Sequence, residues 1–170
     1  HSPEARENLA DENVPPERAH FVGNTMIDTL VALEDAIRSR EAAAALRLER
    51  GSYLLVTLHR PALVDGPLLA DAMTALSEVG REIEVVFPVH PRTRARLAEL
   101  GLDSQQGVTL TEPTGYLDFL SLEADAAAVL TDSGGIQEET TWLGVPCFTL
   151  RDNTERTVTV RAGTNTLLGL

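Results

Sequence analysis

The densest chemistry in the chain lies in residues 131–139, Thr-Asp-Ser-Gly-Gly-Ile-Gln-Glu-Glu. An apolar run, AAAVLT, ends there; Ser133 can cap a helix, and Gly134 and Gly135 let an anion approach the backbone closely. A helix that begins at such a turn aims unpaired N–H groups and the positive end of its dipole outward, which suits a diphosphate. Glu139 stands six residues beyond Ser133, about 9 Å along the axis at ~1.5 Å per residue. That is the reach from phosphates to a ribose diol, for which a carboxylate offers two acceptors. The same letters also describe a plain capped helix whose early acids favour the dipole. Spacing alone leaves both readings open.

Other polar residues fall at the ends of apolar runs. YLLVTL ends in His59-Arg60, EVVFPV in His90-Pro91, and CFTL in Arg151-Asp152, followed by Asn153-Thr154-Glu155-Arg156. A histidine at a strand end is commonly a hydrogen-bonded loop residue. Two of them beside a phosphate-type turn favour a functional rim. Arg92, Arg94 and Arg96 after His90 read either as part of that rim or as a solvated helix face. Asp28, Glu34 and Asp35 read as surface charge, and Trp142 and Phe148, in apolar surroundings, as core. Ser133, His59 and Asp132 compose a Ser-His-Asp set on paper, but the G-x-S-x-G elbow is missing and a hydrolase triad is rejected. The G-x-G-x-x-G fingerprint is absent as well.

Composition narrows the ligand. All 14 basic residues are arginine, which excludes a P-loop lysine and a Schiff-base lysine. A net charge of -12 argues against a nucleic-acid partner, yet a local cluster of donors can still hold a phosphate. The lone Cys147 sits in the apolar run VPCFTL, so neither a disulfide nor a metal site is expected. No cofactor is called for. The apolar runs are short and interrupted by charge, and the polar opening HSPEARENLADEN is no signal peptide. A cytoplasmic enzyme without a membrane partner is the expectation.

These residues need a scaffold that brings strand ends together. At 170 residues the chain is long enough for one cored domain and too short for two. Short β-branched runs alternate with helical patterns, the signature of a parallel sheet with covering helices. Helices are expected over 3–12 (with Ser2 as N-cap), 24–50, 67–79, 91–100, 115–123, 134–143 and 155–161. Strands are expected over 20–22, 53–58, 84–89, 108–110, 127–131 and 147–150, and a closing turn at 163–165. Five or so strands with crossover helices make an α/β, Rossmann-like, doubly wound parallel sheet, whose ligands bind outside the carboxyl ends of the strands.

At this point a family resemblance emerges. TDSGGIQEE, LGVP at 143–146, LRDNTER at 150–156 and GTN at 163–165 resemble the signature blocks of bacterial non-hydrolysing UDP-N-acetylglucosamine 2-epimerases. VGNTMID at 22–28, LVTLHR at 55–60, PVHP at 88–91 and EPTGYLDF at 112–119 match further blocks in the same order. The resemblance implies the second domain of a GT-B-type two-domain enzyme, with residues 1–22 leading in from a missing first domain and residues 23–170 forming the UDP-binding domain. His1-Ser2 reads as tag remnant, the family's closing helix would follow Leu170, and the chain reads as a piece of a longer one.

The resemblance also assigns roles. His59 would lie near the diphosphate and the sugar C1–C2 region as a catalytic residue. His90 would be a second active-site histidine or a support of the rim. Ser133, Gly134 and Gly135 would hold the phosphates, Glu139 the ribose hydroxyls, and Phe119 the uracil, whose edge the backbone near Thr114 would read. Arg156 would meet phosphate or sugar, with Arg151 and Glu155 shaping that loop. The implied reaction eliminates UDP from UDP-N-acetylglucosamine to a bound 2-acetamidoglucal and re-adds it, giving UDP-N-acetylmannosamine for cell-surface polysaccharide. The family's C2 proton-moving carboxylates belong to the first domain, so the isolated chain is expected to be inactive and its parent to be a homodimer. Two departures stand out. Pro61-Ala62-Leu63 replaces the acid-bearing continuation after HR, so the orientation of His59 is expected to be weakened, and Thr157 replaces a proline. A glycosyltransferase donor domain and a non-catalytic UDP-sugar-binding module are the alternative readings.

Overall fold

A computed structural model of the chain describes residues 2–169. His1, and with it half of the tag reading, lies outside the described residues, as do Leu170 and the side chain of Ala62. The chain separates into two compact units, one ending at Glu34 and the other starting at Asp35.

The first unit holds α1 (Pro3–Asp11), a 3-10 turn at Pro16–Arg18 and α2 (Thr25–Ala32). Ser2 occupies the N-cap of α1 without a side-chain bond, whereas the Asn24 side chain caps α2 by accepting from the Met26 N–H at 3.0 Å. The strand expected at 20–22 does not form, since these residues pair with no strand.

The expected long helix over 24–50 is also corrected. It is three pieces: α2, α3 (Glu34–Arg38) and α4 (Ala42–Ala45), with Glu41 left-handed at φ 49° and Arg47 at φ 61°. Tertiary contacts override the alanine-rich propensity here. Arg40 pairs with Asp118 at 2.5 Å, the Ala42 N–H donates to Ser121 Oγ at 3.3 Å, and Ala42 and Ala43 are buried. Small side chains let α4 pack against α8 (Tyr116–Asp125).

The second unit is built on β1 (Tyr53–Thr57), β2 (Glu84–Pro88), β3 (Val108–Thr111), β4 (Ala128–Thr131), β5 (Cys147–Thr149) and β6 (Asn165–Leu167). All adjacent strands are parallel, in the order β3-β2-β1-β4-β5-β6. The crossovers are α5 (Pro61–Val64) with α6 (Leu68–Val79), then α7 (Pro91–Glu99), α8, α9 (Gly134–Leu143) and α10 (Thr157–Arg161). The expected doubly wound sheet is therefore present. Gly163 and Thr164 of the closing turn expected at 163–165 are bent, but Asn165 already opens β6, and α10 starts at Thr157 rather than at residue 155.

Alternation along the strands divides the core into two faces. Leu54, Val56, Val85 and Phe87 pack with Leu69, Met73 and Leu76 of α6 and Leu97 of α7. Tyr53, Leu55, Val86 and Val129 face Ala42, Ala43, Leu122 of α8 and Ile136 of α9. On the α6 side, Ala128, Leu130, Phe148 and Leu150 help line an open apolar trough of about 640 Å³. Phe148 is thus only partly buried, and Trp142 is 55% exposed rather than in the core. Trp142 lies in the last turn of α9, just before Gly144 ends the helix at φ 74°.

Strand order reverses between β1 and β4, where Thr57 pairs with Thr131. That switch point is where an open α/β sheet leaves a crevice at its carboxyl edge.

Candidate functional site

Both strands at the switch point run into a single buried acid. Asp132, 1% exposed, accepts the backbone N–H of His59 at 2.9 Å and of Arg60 at 2.7 Å through Oδ2. The Arg60 Nε–H returns a bond to the Asp132 carbonyl at 2.8 Å. The other carboxylate oxygen, Oδ1, stands 2.9 Å from His59 Nδ1 as an ion-pair contact and accepts no hydrogen bond. That oxygen can only accept, so its closeness favours the imidazole tautomer with its proton on Nδ1. Nε2 is then the free nitrogen of a ring whose side chain is 54% exposed. Asp132 thus sets a carboxylate beside His59, although the replacement after Arg60 was expected to weaken the orientation of that ring. Asp132 and His59 form a dyad, and no catalytic role for Ser133 follows from it.

Thr131 shapes the next turn. Its hydroxyl accepts the Ser133 N–H at 2.9 Å, and the Ser133 side chain makes no cap of its own, contrary to the expected N-cap bond. Gly134 and Gly135 open α9. A Cβ on Gly134 would come 2.8 Å from Glu155 Oε1 and 3.8 Å from Arg156 Nε. The absence of a side chain therefore permits a close approach at the start of α9.

A buried polar network clamps the 150–156 loop to α9. Gln137, fully buried, donates to the Ser133 carbonyl at 3.1 Å. Its Oε1 accepts the Thr154 hydroxyl at 2.6 Å and the Asn165 amide at 3.0 Å. Asn165 accepts from the Thr149 hydroxyl at 2.6 Å and donates to Thr159 Oγ1 at 3.1 Å. Thr154 Oγ1 takes the Arg156 N–H at 3.0 Å. Every donor and acceptor of the two amides that the network uses is matched, so the loop is held rigidly. Sequence reasoning missed Gln137, Thr154 and Asn165 in this role. No local pattern marks Gln137, since it shares its helix face with Gly134, Thr140 and Thr141. A buried glutamine needs partners, and those of its Oε1 come from residues distant in sequence.

The loop brings two arginines to the α9 terminus. Arg151 Nη2 lies 2.9 Å from Glu155 Oε2, and Arg156 Nε lies 3.1 Å from Glu138 Oε2. Burial pushes the Glu155 carboxyl up, but the Arg151 hydrogen bond, its own backbone N–H and the charges of Arg151 and Arg156 outweigh it and hold the group below its usual range. Arg60, Asp132, Arg151, Asp152 and Asn153, with Leu63 and Leu150, also line a small pocket on this rim, of about 200 Å³.

Glu139 is 5% exposed. Burial chiefly, and then the neighbouring Glu138 charge, raise its carboxyl, while a hydrogen bond from the Tyr116 hydroxyl opposes them. Tyr116 is a further residue that the sequence did not single out for this site, and it stands at the start of α8. Phe119, one turn later, packs partly buried against the core face that contains Ile136. The Thr114 hydroxyl is buried without a hydrogen-bond partner. His90 occupies the N-cap of α7, where its Nδ1 accepts the Arg92 N–H at 3.3 Å. Arg92 pairs with Asp65, Arg94 with Glu112 and the Thr111 carbonyl, and Arg96 with Glu99, so these arginines have local partners. Among the described residues no group of three or more His, Cys, Asp or Glu could hold a metal ion, and no helix is long and apolar enough to cross a membrane.

Comparison with known proteins bears on the same architecture. A family model described as UDP-N-acetylglucosamine 2-epimerase matches residues 1–170. The chain is 38% identical to the UDP-N-acetylglucosamine 2-epimerase of Methanococcus maripaludis over 175 residues, covering 97% of this chain and 48% of that one. It is 41% identical to the enzyme of the same name from Methanocaldococcus jannaschii, again covering 97% and 48%. The crystal structure of the latter enzyme in complex with UDP-GlcNAc and UDP superimposes with a TM-score of 0.84, at 38% identity, over 97% of this chain and 48% of that one. The chain spans about half the length of the curated relatives it matches. Both are archaeal, and bacterial relatives such as that of Salmonella typhimurium match at 35% identity.

Proposed function

From the premise that this chain belongs to the UDP-N-acetylglucosamine 2-epimerase family, we propose that it is the UDP-gripping half of an enzyme that interconverts UDP-N-acetylglucosamine and UDP-N-acetylmannosamine. The observation that carries this reading is the α9 terminus: two glycines, two arginines and a buried glutamate gathered at the switch point of the sheet. Ser133, Gly134 and Gly135 would receive the diphosphate, with Arg151 and Arg156 neutralising it and Glu139 taking the ribose hydroxyls. Phe119 and the unpartnered Thr114 hydroxyl lie at the start of α8, where they would meet the base. His59, aimed by Asp132, would face the breaking C1–O bond, and His90 would keep the neighbouring rim in shape as the α7 cap.

In this reading UDP departs from C1 and returns after a proton has been exchanged at C2. Negative charge grows on the leaving diphosphate, and preorganised N–H and guanidinium donors stabilise that growth without reorganisation. Proton exchange at C2 requires carboxylates within hydrogen-bonding reach of that carbon. These would come from the other half of the parent enzyme, which we take to be a cytoplasmic homodimer serving surface-polysaccharide synthesis.

The test is direct. Calorimetry is expected to show weak UDP binding by the 170-residue chain, while incubation with UDP-N-acetylglucosamine gives no UDP-N-acetylmannosamine. Robust conversion, or no UDP binding by a folded sample, overturns the reading. Gly134→Ala sharpens it. Only the flexible end of Glu155 lies within 3 Å of the new methyl, so the fold should survive. The methyl would still hold a phosphate off the helix terminus, and UDP affinity is expected to fall about tenfold, roughly 1.4 kcal/mol. Unchanged affinity would remove the diphosphate from this turn.

A further inference from the structure

We propose that Glu155 is a built-in anion that fills the phosphate position at the start of α9 in the unliganded chain, and that a nucleoside diphosphate binds by displacing it and taking over Arg151. The inference deepens the reading of this turn as a diphosphate site and rests on it.

Three observations carry it. The Glu155 carboxylate lies against the first helical residue, since a Cβ on Gly134 would be 2.8 Å from Oε1 and 3.7 Å from Cδ. An anion drawn to the N–H groups and dipole of α9 would want that same space. Secondly, the backbone on both sides of Glu155 is fixed. Thr154 is bonded to Gln137 at 2.6 Å, and the Arg156 N–H to Thr154 Oγ1 at 3.0 Å. The loop cannot withdraw without breaking the network, whereas the Glu155 side chain, 48% exposed, can rotate into water. Thirdly, Arg151 is incompletely satisfied. Its side chain is only 13% exposed; Nη2 is held by Glu155 at 2.9 Å, but Nη1 is buried with no hydrogen-bond partner. A phosphate presents three oxygens where a carboxylate presents two, so it can engage both nitrogens of the guanidinium fork.

A carboxylate and a diphosphate cannot share this position, because the like charges would stand within contact distance in a partly desolvated site. One must leave. The rival role is that Glu155 remains in the loaded site and aims Arg151 at the ligand. The two roles predict opposite signs.

The experiment is calorimetric titration of the 170-residue chain and of Glu155→Gln with UDP and, separately, with uridine. If Glu155 competes with the diphosphate, Glu155→Gln binds UDP about tenfold more tightly while uridine affinity does not change. Glu155→Asp, which keeps the charge but shortens the reach, is expected to tighten UDP binding by a smaller factor, and it serves if the glutamine variant folds poorly. Equal or weaker UDP binding by the folded variants overturns the proposal while leaving the site reading intact. Failure of the folded parent chain and of both variants to bind UDP at all sinks the site reading and this inference together.

Discussion

Replacing Asp132 with alanine is expected to lower the melting temperature of the chain by about 10 °C. The acid is 1% exposed and accepts the backbone N–H groups of His59 and Arg60, at 2.9 and 2.7 Å. Alanine leaves both donors without an acceptor at the junction of β1 and β4, the two strands that bound the switch point. Losing charge-assisted bonds and stranding partly buried donors costs about 3 kcal/mol. For a domain of this size each kcal/mol is worth roughly 2–4 °C. Asp132→Asn separates the structural role from the chemical one. Its carbonyl oxygen can keep the two backbone bonds, so the melting temperature should fall by only a few degrees. Its amide, however, would donate towards His59 Nδ1, where a carboxylate oxygen now stands 2.9 Å away. The imidazole would then carry its proton on Nε2, the nitrogen left free in the parent chain. Nitrogen NMR of the ring distinguishes the tautomers. An alanine variant that melts with the parent chain, or an asparagine variant whose imidazole keeps its proton on Nδ1, would refute this account of the dyad.

The difficulty of reading Asp132 from sequence marks a general boundary. The parallel sheet was legible because β1, β2 and β4 are short apolar runs with helical patterns between them, and the start of α9 because two glycines follow a strand. Those are local signals. Asp132 was weighed only as a member of a hydrolase triad, since nothing local says that its carboxylate bridges to residues 59 and 60. The break at Glu41 was hidden for the same reason: four consecutive alanines propagate a helix unless Ser121 and Asp118, distant in sequence, hold the turn. β6 was hidden because its three residues carry no alternation, and its edge position is stabilised through the Asn165 side chain and backbone pairing with β5. Trp142 was misread because hydrophobicity predicts burial only on average. The candidate site divides likewise. Ser133, Gly134, Gly135 and Glu139 could be picked out by spacing, whereas Tyr116 becomes visible only once α8 and α9 are packed side by side, and Gln137 only once Thr154 and Asn165 close on α9.

Glu123 supplies the second large effect, with the opposite sign. It is fully buried on α8, and neither carboxyl oxygen has a hydrogen-bond partner. The Glu139 charge is nearby and the buried Cys147 thiol lies within electrostatic reach. Burial foremost, and then Glu139, raise its carboxyl well above the ordinary range. The unfolded chain, by contrast, ionises Glu123 at the usual value, near 4.3. Below that value both states hold the proton and the group does not oppose folding. As pH rises beyond it, the unfolded state releases a proton that the folded state retains, so stability falls until the raised folded value is passed. Glu139 is raised too and adds a slope of the same sign, so the contribution of Glu123 must be read from a difference between variants. Glu123→Met keeps the length of the side chain and removes the unsatisfied oxygens. It is expected to stabilise the chain by about 1–3 kcal/mol near neutral pH, with a smaller gain at pH 5. Denaturation profiles of the two proteins should therefore diverge as pH rises from 5 to 8, because burying a carboxyl that must stay protonated becomes costlier while burying a thioether does not. Parallel profiles, or a methionine variant less stable at pH 8, would mean that Glu123 finds a partner or water in solution and is not the isolated acid that its packing indicates.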